Sequence, residues 1–293
     1  MNPEGPVFLA DGSLLVVEGT RGTVTQIMRG GRSTRIIATT GEPNGLAVDG
    51  HGVAWIADVR PPALIRLTMD GRFDRVLTDY HGEPFKCPND LCFGRDGKLY
   101  LTDSGFFTDD LAPGGVIPPD WKTLKMDGRL YRIDPDTLAS EMLDDDLYLA
   151  NGLGFGPDGD LYVAETVGGR IYRYALRNGR PGKRQEFGNL LIEQNADDLH
   201  GPDGFAFDVN GKRRRRRHHS CRGSGRSMPA AYRSGHCGSS WRHRSSGRQV
   251  AGGGRRISWT DPRQSRRVPL SFFASLFDFW PLLKEFLAAS GER

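Results

Sequence analysis

The sequence predicts an all-β protein built from repeated sheets, and three observations support this prediction. One short pattern occurs five times, starting at Glu4, Asn44, Asn89, Asn151 and Asp203. Each copy runs through alternating apolar residues to a glycine eight positions further on, and in the first four copies a second apolar run follows. Two such runs joined by a turn such as Asp-Gly form a β-hairpin. Hairpins repeated along a chain are typical of a β-propeller.

The first two repeats each predict a complete four-stranded sheet, because each contains four apolar runs separated by turn residues. In the first repeat the predicted strands are Val7–Ala10, Leu14–Glu18, Thr23–Met28 and Thr34–Ala38. In the second repeat they are Leu46–Val48, Val53–Asp58, Leu64–Met69 and Phe73–Leu77.

The third repeat contains an insertion. Its hairpin is followed by Gly105–Asp127, which is rich in Pro, Gly and Asp and therefore predicts a loop, either a lid over the site or a plain surface loop. Strand Arg129–Asp134 then resumes the pattern. The fourth repeat predicts strands Leu161–Glu165, Arg170–Leu176 and Arg180–Gln185. The last of these is basic, as is typical of a protected sheet edge.

The fifth repeat begins at Asp203 and breaks off after Gly211. Where an apolar strand is expected the chain has five consecutive arginines, Arg213–Arg217, and residues 212–267 hold 17 Lys and Arg against one Asp. Three interpretations remain open: a nucleic-acid-binding arm, a solvated tail, or a reading-frame error in a GC-rich gene. The break falls within a hairpin, where no domain boundary is expected. The sequence therefore favours the frame error, and no nucleic-acid partner is expected.

The last segment is apolar. Ser271–Ala289 carries Phe, Leu and Trp side chains at helical spacing, interrupted by Pro281, and predicts a helix or an apolar tail against the incomplete sheet. The predicted organisation is thus a propeller in residues 1–211, a basic low-complexity segment in 212–267 and an apolar tail in 268–293.

The composition bounds the class of protein. The chain has 293 residues and 39 glycines, which suits one large domain of short strands and turns. We see no apolar leader, and no run approaches the roughly 20 apolar residues of a membrane span. A soluble, cytoplasmic protein without a membrane partner is expected. The four cysteines lack CxxC spacing, which predicts free thiols. The sequence contains no HExxH or GxSxG motif.

The five residues that open the repeats form the candidate functional site. In a propeller the innermost strand of each blade begins at one mouth of a central channel, so the residue just ahead of it points toward the axis. Glu4, Asn44, Asn89, Asn151 and Asp203 would converge there as carboxylate and amide oxygens, which hard cations such as Ca²⁺ prefer. The alternative is that they cap turns, which is the better explanation for an isolated Asn-Gly than for five copies in register.

Four motifs in the repeats resemble the SMP-30/gluconolactonase/LRE family. They are Glu4-Gly5-Pro6-Val7, Pro88-Asn89-Asp90-Leu91, Asn151-Gly152 with the following Pro157-Asp158-Gly159 and Leu161-Tyr162-Val163-Ala164, and Gly201-Pro202-Asp203-Gly204. The resemblance covers about residues 3–211. It implies an all-β, six-bladed β-propeller with a divalent metal in its channel. In this chain the fifth blade is then interrupted, and the sixth blade and a closing strand are not recognisable.

The resemblance also implies metal ligands and a reaction. Glu4, Asn151 and Asp203 match the family's metal ligands, and Asn89 matches a residue that binds metal or substrate depending on the member. Asp203 also matches the proposed general base, which makes it the candidate catalytic residue. The implied cofactor is Ca²⁺, or another divalent cation such as Zn²⁺, Mg²⁺ or Mn²⁺. The implied reaction is hydrolysis of a sugar lactone, with an inactive propeller fragment as the alternative.

The candidate substrate-binding residues surround the same ring. Some members of the family carry a substrate-binding arginine two residues before the position of Asn89. This chain has Cys87 there, with Lys86 beside it. Asn89, Lys86 and Asn44 are therefore the candidates for contacts with a small-molecule lactone. Cys87 is expected either to line the channel or to be a small buried apolar residue.

Overall fold

Alternating apolar residues and glycine turns form four antiparallel sheets of four strands each in the computed structural model. The structure describes residues 3–113, 120–177, 179–189, 201–207 and 270–272. The first sheet contains β1 (Pro3–Phe8), β2 (Leu14–Glu18), β3 (Thr23–Ile27) and β4 (Thr34–Thr39). The second contains β5 (Pro43–Val48), β6 (Ala54–Val59), β7 (Pro62–Leu67) and β8 (Phe73–Leu77).

A short two-stranded sheet, β9 (Asp79–Tyr80) and β10 (Glu83–Pro84), leads into the third repeat. The third sheet contains β11 (Pro88–Phe93), β12 (Leu99–Asp103), β13 (Gly128–Ile133) and β14 (Ser140–Leu147). The fourth contains β15 (Ala150–Phe155), β16 (Leu161–Glu165), β17 (Arg170–Arg177) and β18 (Arg180–Asn189). In all four sheets the strand order follows the chain, so each sheet is an up-and-down meander.

Helix is nearly absent from the described residues. It is limited to 3₁₀ turns at Gly19–Arg21 and Trp121–Thr123 and one α-helical turn, α1 (Thr108–Leu111). No helix in the described part of the chain is long and apolar enough to cross a membrane. The protein is therefore all-β, as the repeat pattern predicts.

The hairpin glycines take the backbone conformation that the repeats require. Gly12, Gly52, Gly97 and Gly159 have φ between 73° and 84°, which residues with a Cβ rarely adopt. Each joins the first and second strands of its sheet, so the spacing of the four glycines sets the start of every second strand. Gly211 lies outside the described residues.

The core lies between successive sheets. One apolar cluster joins the first and second sheets through residues such as Leu15 and Ile65. A second, around Trp55 and Tyr131, joins the second and third sheets, and a third cluster joins the third and fourth. The fourth sheet packs through Tyr162 on β19 (Phe205–Phe207). Each sheet is thus covered by the next one along the chain, which is propeller-like packing.

The first strands of the sheets lie side by side, in the order β1, β5, β11, β15 and β19. A Cβ at Gly45 would lie 2.6 Å from the carbonyl oxygen of Asn89, and a Cβ at Gly152 would lie 2.6 Å from that of Asp203. These distances are shorter than any normal contact. The glycine that follows Asn44 and Asn151 therefore permits neighbouring first strands to approach closely.

The predicted strand boundaries are wrong at the start of each sheet. The first strands begin earlier than predicted, at Pro3, Pro43, Pro88 and Ala150. Glu4, Asn44, Asn89 and Asn151 are consequently the second residues of their strands and do not precede them. Only Asp203 lies ahead of its strand, β19.

The two remaining predicted segments are described only in part. Strand β20 (Leu270–Phe272) pairs antiparallel with β19, so Ser271 and Phe272 are extended, which agrees at these two residues with the predicted tail against the incomplete sheet and not with the alternative helix. The rest of that segment, and the basic segment 212–267, lie outside the described residues.

Candidate active site

Each of the four complete sheets has a register irregularity at its predicted site residue. The pairing between first and second strands shifts between Glu4 and Val7, between Pro43 and Gly45, between Pro88 and Leu91, and between Ala150 and Leu153. A β-bulge changes the direction of the side chains beside it and is common next to active sites. The irregularity thus explains how the side chain of a strand residue can depart from the regular alternation between the two faces of the sheet.

Three carboxyl groups come within electrostatic reach of one another. Burial raises the pKa of Glu4 to about 8, with further contributions from the charges of Asp203 and Asp90. Burial and the Asp203 charge raise the pKa of Asp90 to about 6, against hydrogen bonds from the amides of Leu91 and Leu153. We call the region of these three carboxyl groups, together with Asn151 beside Asp203, the hub.

Asp203 and Asn151 are in direct contact at the hub. Burial raises the pKa of Asp203, while hydrogen bonds from the amide of Gly204 and the side chain of Asn151 hold it down. The structure thus brings together three of the four predicted metal ligands, Glu4, Asn151 and Asp203, through contact or charge.

The donor set of the hub fits a hard divalent cation, because it consists of carboxylate and amide oxygens in a partly buried, acidic place. Among the described residues, however, no group of three or more His, Cys, Asp or Glu side chains is arranged to hold a metal ion. An ion at the hub would therefore need the amide oxygens as well as the carboxylates. Asp90 was not a predicted site residue, because it occupies the position held by glycine in the other four repeats.

A second row of buried carboxylates lies at the ends of the second strands. These residues are Glu18, Asp58, Asp103 and Glu165, with exposed fractions of 6%, 0%, 2% and 3%. Each comes six residues after its hairpin glycine. They were not among the predicted site residues, although this regular spacing is visible in the sequence.

Three of these carboxylates accept hydrogen bonds from the backbone that leads into a first strand, whereas Glu18 accepts from the side chains of Thr23 and Thr25. Asp103 accepts from the amides of Lys86 and Cys87 at 2.8 and 3.0 Å. Asp58 accepts from the amide of Glu42 at 2.9 Å, and Glu165 from that of Tyr148 at 2.9 Å. The bonded amides lie two or three residues before Asn44, Asn89 and Asn151, so these three carboxylates fix the entry of the first strands of the second, third and fourth sheets.

Lys86, a predicted substrate residue, is part of an ion-pair network. Its Nζ lies 2.5 Å from Oδ1 of Asp127, and both side chains are 29% exposed. Asp127 also pairs with Arg129 at 2.9 Å, and Arg129 with Glu83 at 2.7 Å. Lys86 is therefore held by a neighbouring carboxylate, and a contact with substrate remains a prediction.

Cys87 is buried in an apolar cluster, as one of its two expected environments requires. It packs with side chains of the insertion, including Phe106, Leu111 and Trp121, and with Leu149. Burial raises the pKa of its thiol to about 12, so the thiol stays protonated at neutral pH. Both cysteines in the described residues, Cys87 and Cys92, are free thiols, as predicted.

The insertion is packed in its described part. Its apolar side chains lie against Cys87 and Leu149, each of which is two residues before a site asparagine. The adjacent residue, Phe107, lies outside this cluster, and its side chain is 42% exposed. The insertion thus lies beside the entries of the third and fourth sheets, and its role as a lid remains a prediction.

The fold and the site together define a propeller-like, all-β protein with an acidic hub at the start of its first strands. The family model described as SMP-30/gluconolactonase/LRE-like region matches residues 3–213. The chain belongs to this family, which confirms the resemblance found in its motifs.

Individual relatives include enzymes and proteins of other description. A gluconolactonase of Zymomonas mobilis is 31% identical over 174 residues, covering 57% of this chain and 47% of the relative. Protein STRICTOSIDINE SYNTHASE-LIKE 6 of Arabidopsis thaliana is 32% identical over 185 residues, covering 60% and 44%. The chain thus spans less than half the length of these two curated relatives. Among solved structures, a gluconolactonase from Xanthomonas campestris superposes with a TM-score of 0.58 at 27% identity, covering 71% and 67% of the two chains.

Proposed function

We propose that this protein hydrolyses a sugar lactone or a related cyclic ester in a reaction that depends on a divalent cation at the hub. The observation that carries the proposal is that the charges of Asp90 and Asp203 act on buried Glu4, with the side chain of Asn151 beside Asp203. Family membership and the two gluconolactonases among the similar proteins support the choice of reaction. The four sheets would be four of six blades, with the fifth interrupted after Gly211.

Glu4, Asn151, Asp203 and Asn89 would hold the cation, with Ca²⁺ the first choice for a set of oxygen donors. When bound, such a cation polarises an ester carbonyl and lowers the pKa of water. Because the hub is acidic and partly buried, a cation there also relieves the mutual repulsion of its carboxylates. The ions Zn²⁺, Mg²⁺ and Mn²⁺ are the alternatives.

Asp203 would act as the general base. A carboxylate bound to a cation stays ionised at neutral pH and is a weak base, so the cation would also have to lower the pKa of the attacking water. The hydrogen bond from Asn151 fixes the direction of this carboxylate. It would take a proton from the water that attacks the lactone carbonyl and return it to the ring oxygen that leaves.

Asn89, Lys86 and Asn44 would orient the substrate. A sugar lactone offers several hydroxyl groups, which an amide can meet as donor and acceptor and a lysine as donor. Lys86 would have to share its three N–H donors between Asp127 and the substrate. This arrangement favours a polyhydroxylated ring over an apolar ester.

The test is lactone hydrolysis by the full chain with and without a chelator. We expect activity on glucono-δ-lactone that is lost in chelator and restored by Ca²⁺ or one of the other cations. Glu4→Gln and Asp203→Asn should each lower kcat/KM by roughly 100-fold or more. Asp74→Asn, on the exposed outer strand β8, is the control and should keep wild-type activity. Turnover retained by both hub variants at saturating substrate would overturn the proposal.

A further inference from the structure

Two hydroxyl groups connect neighbouring first strands beside the hub. Ser104 and Thr166 each come directly after a buried carboxylate at the end of a second strand, Asp103 and Glu165. Both hydroxyl-bearing residues are buried, with exposed fractions of 0% and 7%. Neither was singled out by its sequence pattern, because a single Ser or Thr after a strand has no distinctive chemistry.

The same pair of hydrogen bonds occurs at both hydroxyls. Asn89 donates from Nδ2 to Oγ of Ser104 at 3.1 Å, and Ser104 donates to the carbonyl oxygen of Ala150 at 2.9 Å. One sheet further on, Asn151 donates from Nδ2 to Oγ1 of Thr166 at 2.9 Å. Thr166 in turn donates to the carbonyl oxygen of Pro202 at 2.8 Å. Each hydroxyl thus joins one site residue to the carbonyl just before the next.

These bonds fix which way the two amides face. A carbonyl oxygen only accepts hydrogen bonds, so the single proton of each hydroxyl is committed to Ala150 or Pro202. The hydroxyl oxygen is then left to accept, and the asparagine must present its NH₂ group to it. The carboxamide oxygen Oδ1 therefore points away from the hydroxyl.

Among the four complete sheets, the hydroxyls are present only in the two whose asparagine is a candidate metal ligand. At the corresponding positions of the first and second sheets, after Glu18 and Asp58, the chain has Gly19 and Val59. Neither side chain can hydrogen-bond an amide. Asn44, the remaining asparagine of the ring, therefore lacks this constraint, which distinguishes it from Asn89 and Asn151.

We propose that Ser104 and Thr166 are positioning residues that orient the amides of Asn89 and Asn151 with Oδ1 toward the cation. The inference rests on the proposed function, since it assumes a cation at the hub. Without the hydroxyl, the carboxamide can rotate and turn its NH₂ group toward the cation. The positive ends of the N–H bonds then repel the cation. Loss of a partner that orients a metal ligand typically weakens metal binding roughly 10-fold to 100-fold.

The test is calorimetric titration of the full chain with Ca²⁺ alone. Ser104→Ala and Thr166→Val should each weaken binding roughly 10-fold to 100-fold, and Thr166→Ser, which keeps the hydroxyl, should bind as the wild type does. Ser13→Ala is the matched control, because Ser13 is a buried serine (1% exposed) that donates one hydrogen bond and accepts another. It lies in the turn between β1 and β2, at the other end of the hairpin from Glu4. The substitution should leave the affinity unchanged.

A double-mutant cycle separates positioning from a loss of stability. If Ser104 acts through the amide of Asn89, Ser104→Ala should cause no further loss of Ca²⁺ affinity in an Asn89→Ala background. Equal losses in both backgrounds, or wild-type affinity in Ser104→Ala and Thr166→Val, would overturn the inference while the proposed metal site stands. Absence of Ca²⁺ binding by the wild type would overturn both.

Discussion

Replacing Glu4 by Gln should stabilise the metal-free protein at high pH, although Glu4 is a candidate ligand. The folded-state pKa of Glu4 is about 8, above the ordinary value of 4.5, so the folded state holds this proton more tightly than the unfolded state. Below about pH 4.5 the group costs nothing, and stability falls as the pH rises until the penalty is complete above about pH 8. At about 1.4 kcal/mol per pH unit, the full penalty is about 4 to 5 kcal/mol.

The assay is urea unfolding in chelator at about pH 5.5 and about pH 8.5. Glu4→Gln cannot ionise, so its advantage in unfolding free energy should grow by about 3 kcal/mol between the two pH values. Glu141→Gln makes the same chemical change on outer strand β14, where the side chain is 46% exposed, and should gain nothing. Saturating Ca²⁺ should reverse the order by stabilising the wild type. Identical pH profiles for Glu4→Gln and wild type would refute the reasoning.

The remaining predictions concern packing, substrate and gene. Gly45→Ala puts a Cβ 2.6 Å from the next first strand and should cost about 2 kcal/mol or more in urea unfolding. Gly50→Ala, whose Cβ meets nothing within 4 Å, is the control and should cost much less. Lys86→Met should raise KM for the lactone at nearly constant kcat. An unchanged KM would show that Lys86 only pairs with Asp127 and does not bind substrate. Resequencing of codons 205–270 should show that a neighbouring reading frame encodes strands of alternating apolar residues. If no neighbouring frame encodes such strands, the frame error is contradicted.

Much of the fold could be predicted because glycine turns set the strand starts. The predicted bounds of Leu14–Glu18, Phe73–Leu77 and Leu161–Glu165 agree with the structure. The first strands were harder, since Pro43 and Pro88 look like loop residues by composition but begin strands there. A bulge is an arrangement of two paired strands, and a single strand's sequence does not specify it.

The residue types of the candidate site could be predicted, but the residues that hold and surround them could not. Five acidic or amide residues in register were visible as a pattern, and three of them meet at the hub. Asp90 was missed because its position reads as a turn glycine in the other repeats, and only the packing of neighbouring strands brings its charge next to Glu4. Ser104 and Thr166 were missed for a similar reason, because their hydrogen-bond partners are distant in sequence. The partners of Ser104 are 15 and 46 residues away, and those of Thr166 are 15 and 36 residues away.

The register irregularities limit how the chain can change length. Each begins at the first or second residue of a first strand and ends by the fifth, and its extra backbone contains Asn44, Asn89 or Asn151, or directly follows Glu4. Deleting one residue there would restore regular pairing and exchange the faces of every side chain before the deletion. Point substitutions at these strands can alter chemistry while keeping the sheet, whereas single-residue deletions would turn the ligands away. Variation in length is therefore confined to the connections, of which the insertion after β12 is the longest between paired strands of the four sheets.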